Sequence, residues 1–307
     1  MTPTGLAPAG GGSQVLLDSH VHFWDPRRLA YPWLGQIPPL DRPFTPGHFA
    51  GLHPKPVEVI FIEAGRAPGG AAAEVEWVRH EARNQPWIRG AVAHAQLENP
   101  AQARDVIRGY ADDPFVLGVR RNIQDEMAGF TTSAGFRAGV RLLGGAGLPF
   151  DACVRAHQLP ELAELAAACP QTTIVLDHLG KPPAEARGPG TTTWRQAMRR
   201  LARRDNIVCK LSGLATEAAP GTGESAMAFV LREALDIFGP GRCLYGSDWP
   251  VMTLATRYQA WLDLVRAVLT AHPPAAAGAV LGGNAARIYR VSLATSAREP
   301  ARGEDPA

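Results

Sequence analysis

The sequence predicts an α/β protein built as a single-domain (β/α)8 barrel. Eight short apolar segments alternate with amphipathic helical segments, and the 307 residues suffice for one such barrel. The structural alternative is a doubly wound open sheet, which requires a glycine-rich turn after its first strand. Here the first apolar segment ends in His20-Val21-His22-Phe23 instead. The absence of a glycine-rich turn at this point favours the barrel over the open sheet.

Each predicted strand is a short run rich in branched and aromatic side chains. Strands that alternate with helices pair in parallel through right-handed crossovers. The runs span residues 15–23, 57–64, 88–97, 116–123, 149–155, 173–179, 207–214 and 243–248.

Helical periodicity fills the intervals between these runs, as the barrel requires. The helical segments lie near residues 71–86, 100–112, 133–146, 159–169, 192–204, 224–238 and 255–272, with a short final helix at 283–290. We therefore predict one domain over 15–291. Residues 1–14 are rich in Gly, Pro and Ala and predict a disordered tail, and 292–307 predict a flexible tail.

The composition argues against several classes of function. A net charge of +2 provides no electrostatic surface for nucleic acid or a membrane. The amino terminus has neither a basic start nor a long apolar stretch, which predicts a cytoplasmic protein. Its four cysteines, Cys153, Cys169, Cys209 and Cys243, are widely spaced and form no CxxC pair. We expect buried free thiols.

Ionisable residues recur at the carboxyl ends of the predicted strands, where barrel enzymes place their chemistry. Alternate residues of a strand share a face, so His20 and His22 point the same way. Burying such groups costs free energy unless they are paired, hydrated or metal-bound. Later strands contribute Glu63, Arg120, His157, His178, Lys210 and Asp248. This recurrence predicts an active site.

Three polar residues of the predicted strands, Asp18, Asp177 and Lys210, could have structural and not catalytic roles. Asp18 is in phase with His20 and is expected to orient an imidazole. Asp177 alternates with His178, so we expect it to point away from His178 and to act as a structural hydrogen-bonding group. Lys210 lies in mid-strand and is equally compatible with an ion pair and with catalysis.

The connection after the first strand is unusually long. Residues 24–56 hold eight prolines together with Trp24, Tyr31 and Trp33, and they show no helical period. A long segment of this kind inside a compact domain is typically functional or disordered, and its aromatic residues argue against disorder. We predict a lid over the carboxyl ends of the strands.

Several short motifs lie along the chain from residue 18 to about residue 290. They are Asp18-Ser19-His20-Val21-His22-Phe23-Trp24-Asp25, Tyr31-Pro32-Trp33-Leu34, Asp177-His178-Leu179-Gly180-Lys181-Pro182, Cys209-Lys210-Leu211-Ser212-Gly213-Leu214 and Gly246-Ser247-Asp248-Trp249-Pro250. Together they resemble the amidohydrolase superfamily, and more narrowly its "amidohydrolase 2" lactonase group, which includes L-fuconolactonases and L-rhamnonolactonases.

The resemblance implies a hydrolase that opens a sugar-acid lactone, with Asp248 as general base and His20, His22 and His178 stabilising the oxyanion. The expected substrate-binding residues combine polar and aromatic groups. They are Arg120, Glu63, His157, Lys181, Trp24, Trp33 and Trp249. Arg120 and Arg121 also fit a carboxylated lactone, whereas Glu63 favours the sugar lactone.

The fourth strand departs from the pattern of the wider superfamily. Binuclear members bridge two metals there with a lysine or glutamate, whereas this strand ends in Arg120-Arg121. We therefore expect at most one divalent ion, zinc before others, on some of His20, His22, His178 and Asp248. Related lactonases work without metal, so the sequence leaves the requirement open.

Two other classes of function compete with the lactonase. A metal-dependent decarboxylase of the same superfamily, acting on an aromatic or unsaturated carboxylic acid, is the alternative. A non-catalytic binding barrel would not need both Asp248 and the three histidines. The expected partner is a small-molecule lactone, and the sequence leaves open whether the chain forms a homo-oligomer.

Overall fold

A computed structural model of the chain describes residues 16–53, 57–183, 189–219 and 221–293. The predicted tails, 1–14 and 292–307, lie outside these ranges apart from Ser292 and Leu293. Among the described residues, no helix has the length and apolar character needed to cross a membrane.

Eight parallel strands form one sheet in the order β1 to β8, which confirms the predicted (β/α)8 barrel. The barrel closes between β8 and β1, where the main-chain nitrogen of His22 donates to the carbonyl of Trp249 over 2.7 Å. The strands are β1 Leu16–Val21, β2 Val57–Ile62, β3 Ile88–His94, β4 Val116–Arg120, β5 Phe150–Ala152, β6 Ile174–Leu176, β7 Ile207–Leu211 and β8 Cys243–Tyr245.

The outer helices lie close to their predicted positions. They are Ala71–Asn84, Pro100–Ala111, Ala134–Ala146, Leu159–Ala168, Pro189–Ala202, Glu224–Phe238 and Tyr258–Leu269. The last of these begins three residues later and ends three residues earlier than predicted, and the 3₁₀ turn Val251–Leu254 precedes it. Asn284–Ile288 closes the fold after the π-helical segment Ala279–Gly283.

Apolar side chains fill two regions. One lies between the strands and the helices, and the other lies inside the barrel, where Leu17, Ile60, Val175 and Leu244 meet Tyr289, which follows the final helix. The alternation of side chains along each strand produces this division. The four cysteines are buried and free, as predicted.

The segment after β1 is ordered by hydrogen bonds and short turns. Trp24 and Phe44 exchange main-chain hydrogen bonds of 2.9 and 2.8 Å. The 3₁₀ turns Pro32–Gln36 and Pro38–Leu40 and the helical turn Pro46–Phe49 complete it. Phe44 and Phe49 pack edge-to-face against Trp249, so this segment lies against the chain that follows β8.

Candidate active site

The two histidines of β1 meet each other and the end of β2. Their Nε2 atoms lie 3.2 Å apart, and Nδ1 of His22 lies 2.8 Å from the carbonyl oxygen of Ile62. A carbonyl only accepts hydrogen bonds, so Nδ1 of His22 carries the proton. Both side chains are buried, with 0% exposure for His20 and 4% for His22.

Asp248 reaches the same position from the end of β8. Its Oδ1 lies 3.4 Å from Nε2 of His22 and 3.7 Å from Nε2 of His20. The residue has a φ of 65°. Just before it, a Cβ on Gly246 would lie 2.7 Å from the Cβ of His20, so only glycine admits this close approach.

His178 joins the group through the turn that ends β6. Its ring lies 4.5 Å from that of His20, and its Nδ1 lies 3.0 Å from Oγ of Ser212. A Cβ on Gly213 would lie 2.4 Å from this Nδ1, so a larger residue would displace the ring. The left-handed φ of 52° at His178 ends the strand and turns the ring toward His20.

Burial favours the uncharged forms of His20, His178 and Asp248. Burial lowers the pKa of His20 well below its ordinary value, and the nearby Lys210 ammonium lowers it further. Burial, followed by the neighbouring His20, does the same to the pKa of His178. Burial raises the pKa of the Asp248 carboxyl, and the nearby His22 opposes that shift.

These residues suit a divalent metal ion. His20, His178 and Asp248 each offer one ligand atom, and the three atoms lie within 4.8 Å of one another. Two imidazoles and one carboxylate are ligands that zinc accepts. A second group, Cys153, Asp177 and His178, meets the same criterion but shares His178 with the first.

A buried charged cluster lies beside His20. The Lys210 ammonium donates to Asp151 and lies 3.2 Å from Nδ1 of His20 and 3.3 Å from Oδ1 of Asp177. The hydroxyl of Tyr289 donates to both oxygens of Asp151. Lys210 has no exposed surface and is therefore a structural ion-pair member that also contacts the site.

The structure corrects two expectations about aspartates. Asp177 does not point away from the site, because it follows Val175 on the inner face and its Oδ1 lies 3.2 Å from Nδ1 of His20. Asp18 does not orient an imidazole. It accepts hydrogen bonds from the main-chain nitrogens of His20 and Ser247 and from the Tyr258 hydroxyl, which joins β1 to the end of β8.

Glu63 and Arg120 form a buried pair at the edge of the site. Nε of Arg120 donates to Oε1 of Glu63 over 2.9 Å, and Arg66 lies 3.7 Å from Oε2. Burial is the largest single effect and opposes ionisation of Glu63, but Arg120, His94, Arg66 and the main-chain hydrogen bond from Gly65 together lower its pKa to about 2. Sequence reasoning selected both residues but did not foresee their pairing.

The remaining expected binding residues are dispersed around this centre. Lys181 pairs with Glu217 over 2.6 Å, and the indole of Trp33 donates to the carbonyl of Ala64 over 2.8 Å. Trp24 is buried in the segment after β1. Trp249 is also buried, and it packs against Phe44 and Phe49 of that segment. His157 is exposed on the turn Ala156–Gln158.

Comparisons with known proteins agree with this architecture. The amidohydrolase family matches residues 17–291. An L-fucono-1,5-lactonase of Burkholderia multivorans is 35% identical over 296 residues, which cover 92% of this chain and 98% of the relative. An L-fucono-1,5-lactonase of Burkholderia ambifaria is 30% identical and covers 90% of this chain and 95% of its own.

The fold of this chain is also similar to that of a solved amidohydrolase structure. A zinc-bound amidohydrolase of Burkholderia multivorans superposes with a TM-score of 0.81 at 32% identity, covering 91% of this chain and all of the other. The family match covers all eight strands apart from Leu16, together with each of the residues that converge on His20. The chain therefore belongs to the amidohydrolase family.

Proposed function

We propose that the chain hydrolyses a sugar-acid lactone. The observation that carries the proposal is the position of Asp248, a buried carboxylate surrounded by His20, His22 and His178. Two relatives at least 30% identical over nine-tenths of the chain are named L-fucono-1,5-lactonases, which supports lactone hydrolysis as the reaction class.

In the proposed reaction, Asp248 accepts a proton from water as the water oxygen attacks the lactone carbonyl. The imidazoles stabilise the negative charge that develops on the carbonyl oxygen. The carbon–oxygen bond of the ring then breaks, and Asp248 returns the proton to the departing alkoxide. Because burial raises its pKa, Asp248 is a stronger base than an exposed aspartate.

A bound divalent ion, which we expect to be zinc, would polarise the carbonyl and acidify a water molecule. His20, His178 and Asp248 would hold it, and the neutral state of both imidazoles suits them as ligands. The roles of Asp248 in holding and returning a proton follow from this chain's own residues.

We assign substrate recognition to the groups around this centre. Lys181 and the Glu63–Arg120 pair provide polar contacts, and Trp33 offers a half-buried aromatic face. Arg120 is neutralised by Glu63, so it provides no free cation for a dicarboxylate. This pairing favours a neutral polyhydroxy ring as the substrate.

A lactone panel tests the proposal directly. Purified protein is mixed with sugar 1,4- and 1,5-lactones, a pyrone dicarboxylate and aromatic acids, and acid release is followed with a pH indicator and carbon dioxide release by a coupled assay. We expect acid release from a sugar lactone, with the Asp248→Asn variant as the control. Carbon dioxide release from an aromatic acid, with every lactone inert, would replace the proposal by a decarboxylase.

A further inference from the structure

We propose that Lys210 and Asp177 compete for a hydrogen bond with Nδ1 of His20. The residue that is bonded to Nδ1 determines whether Nε2 of His20 donates a hydrogen bond or binds metal. Nδ1 of His20 lies 3.2 Å from Nζ of Lys210 and 3.2 Å from Oδ1 of Asp177. An ammonium only donates and a carboxylate only accepts. A neutral imidazole can satisfy one of them at this atom, never both.

The hydrogen bonds around His22 select the Lys210 partner when no metal is bound. Nδ1 of His22 donates to the carbonyl of Ile62, so Nε2 of a neutral His22 has a free electron pair. The 3.2 Å contact between the two Nε2 atoms is then a hydrogen bond only if His20 donates it. With its proton on Nε2, His20 accepts from Lys210 at Nδ1.

The resulting chain of donors runs in one direction, from Lys210 through His20 and His22 to Ile62. Its first member is fixed, because Asp151 accepts from Lys210 and is itself held by the Tyr289 hydroxyl. In this state the carboxylate oxygens of Asp177 are buried and make no directional hydrogen bond. Asp177 is then paired with the charges of Lys210 and Arg120, at 3.3 and 3.8 Å, and it remains able to accept a hydrogen bond from His20.

Binding of a metal by Nε2 of His20 requires the opposite tautomer. The proton must move to Nδ1, where Asp177 accepts it at the distance already present. A carboxylate that accepts from the far nitrogen of a histidine ligand is a common support of metal sites. Asp177 thus favours the metal-binding form of His20, and Lys210 opposes it.

Lys210 is thus a positioning residue that weakens metal binding and keeps His20 as an N–H donor. The tautomer itself is independent of the substrate. Only its use, stabilisation of the oxyanion, rests on the proposed function.

Nitrogen NMR of the metal-free, full-length protein tests the tautomer. The histidines are labelled with ¹⁵N, and the two His20 signals are assigned by comparison with His20→Gln. The spectrum is recorded at pH 8.5, about two units above the ordinary histidine pKa. In the wild-type protein we expect the His20 proton on Nε2. In the Lys210→Met variant we expect the His20 proton on Nδ1. A wild-type proton on Nδ1 would overturn the inference, even if the variant does not fold.

Zinc affinity, measured by competition with a chromophoric chelator, provides a second readout. Asp177→Leu should bind zinc roughly 10- to 100-fold more weakly, the usual effect of removing such a support. Lys210→Met should bind it roughly tenfold or more tightly, on the same scale. A purely structural defect would weaken binding in both variants and would contradict the inference.

Loss of a positive charge alone could also tighten zinc binding, so Lys181→Met serves as the matched control. Lys181 is a second cation whose charge acts on His20, and it makes no contact with the His20 ring that could set the tautomer. We expect this variant to change the affinity less than Lys210→Met does. Equal tightening in the two variants would show that charge, and not the tautomer, is responsible.

Neither outcome depends on the lactone. A wild-type protein with His20 protonated on Nε2 and no lactonase activity would keep this inference and remove the proposed function. An active lactonase with His20 protonated on Nδ1 would do the reverse.

Discussion

The guanidinium of Arg120 donates to both the carboxylate and the main-chain carbonyl of Glu63, over 2.9 and 2.7 Å. The two residues follow β2 and end β4, so this pair connects strands that are separated by β3. Both side chains are buried, at 1% and 6% exposure. The pair is therefore a clamp at the carboxyl end of the barrel, in addition to any role in binding.

This clamp predicts strongly non-additive substitutions. Arg120→Met leaves a buried carboxylate whose nearest remaining salt-bridge partner, Arg66, lies 3.7 Å away, and we expect a loss of about 3–5 kcal/mol in the free energy of unfolding. Adding Glu63→Met should recover about 1–3 kcal/mol of that loss. Urea denaturation measures both. Arg155→Met, which breaks the exposed pair with Asp125, is the control and should cost under about 1 kcal/mol. Additive effects would contradict the clamp.

Asp248→Asn keeps the shape of the side chain and removes the proton acceptor. We expect kcat on the best lactone to fall by roughly 100-fold or more, the scale of a positioned general base. KM should change little by comparison, because the substituted group is needed for the chemical step. Steady-state kinetics on protein of unchanged Tm provide the measurement. Activity within about threefold of the wild type would remove Asp248 from the role of base.

Trp33 tests the lid. Its indole donates to Ala64, packs edge-to-face with Trp24 at 5.2 Å and covers Gly65, where a Cβ would lie 3.2 Å from Nε1. Loss of the aromatic face should cost about 1–3 kcal/mol, so Trp33→Ala should lower kcat/KM by roughly 5- to 150-fold. Trp33→Phe retains an aromatic ring without the hydrogen bond, so its kcat/KM should lie between those of the wild type and Trp33→Ala. A lower Tm with unchanged kcat/KM would make Trp33 an anchor of the loop and nothing more.

Asp18 predicts a dependence of stability on pH. Burial raises its pKa from 3.8 to about 6 despite hydrogen bonds from Ser247 and His20, so the folded state holds this proton more tightly than the unfolded state. The stabilisation is complete below the unfolded pKa and is lost as the pH rises through about 6. Relative to the wild type, Asp18→Asn should gain about 2 kcal/mol in the free energy of unfolding between pH 4 and pH 7. Urea denaturation at both pH values measures this difference. A difference in unfolding free energy between variant and wild type that is the same at pH 4 and pH 7 would contradict the prediction.

The metal content of the purified protein should not exceed one divalent ion per chain. The two candidate ligand groups share His178, so both cannot be complete at once. Lys210 and Arg120 also place two positive charges around Asp177, which disfavours a second cation. Elemental analysis after gel filtration measures the ratio. Two tightly held ions per chain would contradict this assignment.

The sequence alone was sufficient for the barrel and for most of the residues that meet inside it. The strands and helices follow from local periodicity, and the parallel order follows from their alternation. The convergence of His20, His22, His178 and Asp248 was predictable for the same reason, because the carboxyl ends of parallel strands lie at one end of a barrel.

Only the tertiary structure decided how the buried charges are paired. Glu63 meets Arg120 across an intervening strand, and Lys210 meets Asp151, Asp177 and His20 from three other strands. The spacing of residues within a strand carries no information about such partners. The inward position of Asp177 was misjudged because the left-handed turn at His178 breaks the alternation of side chains there. Both features depend on strand register and on backbone dihedral angles that are set by packing of the whole barrel.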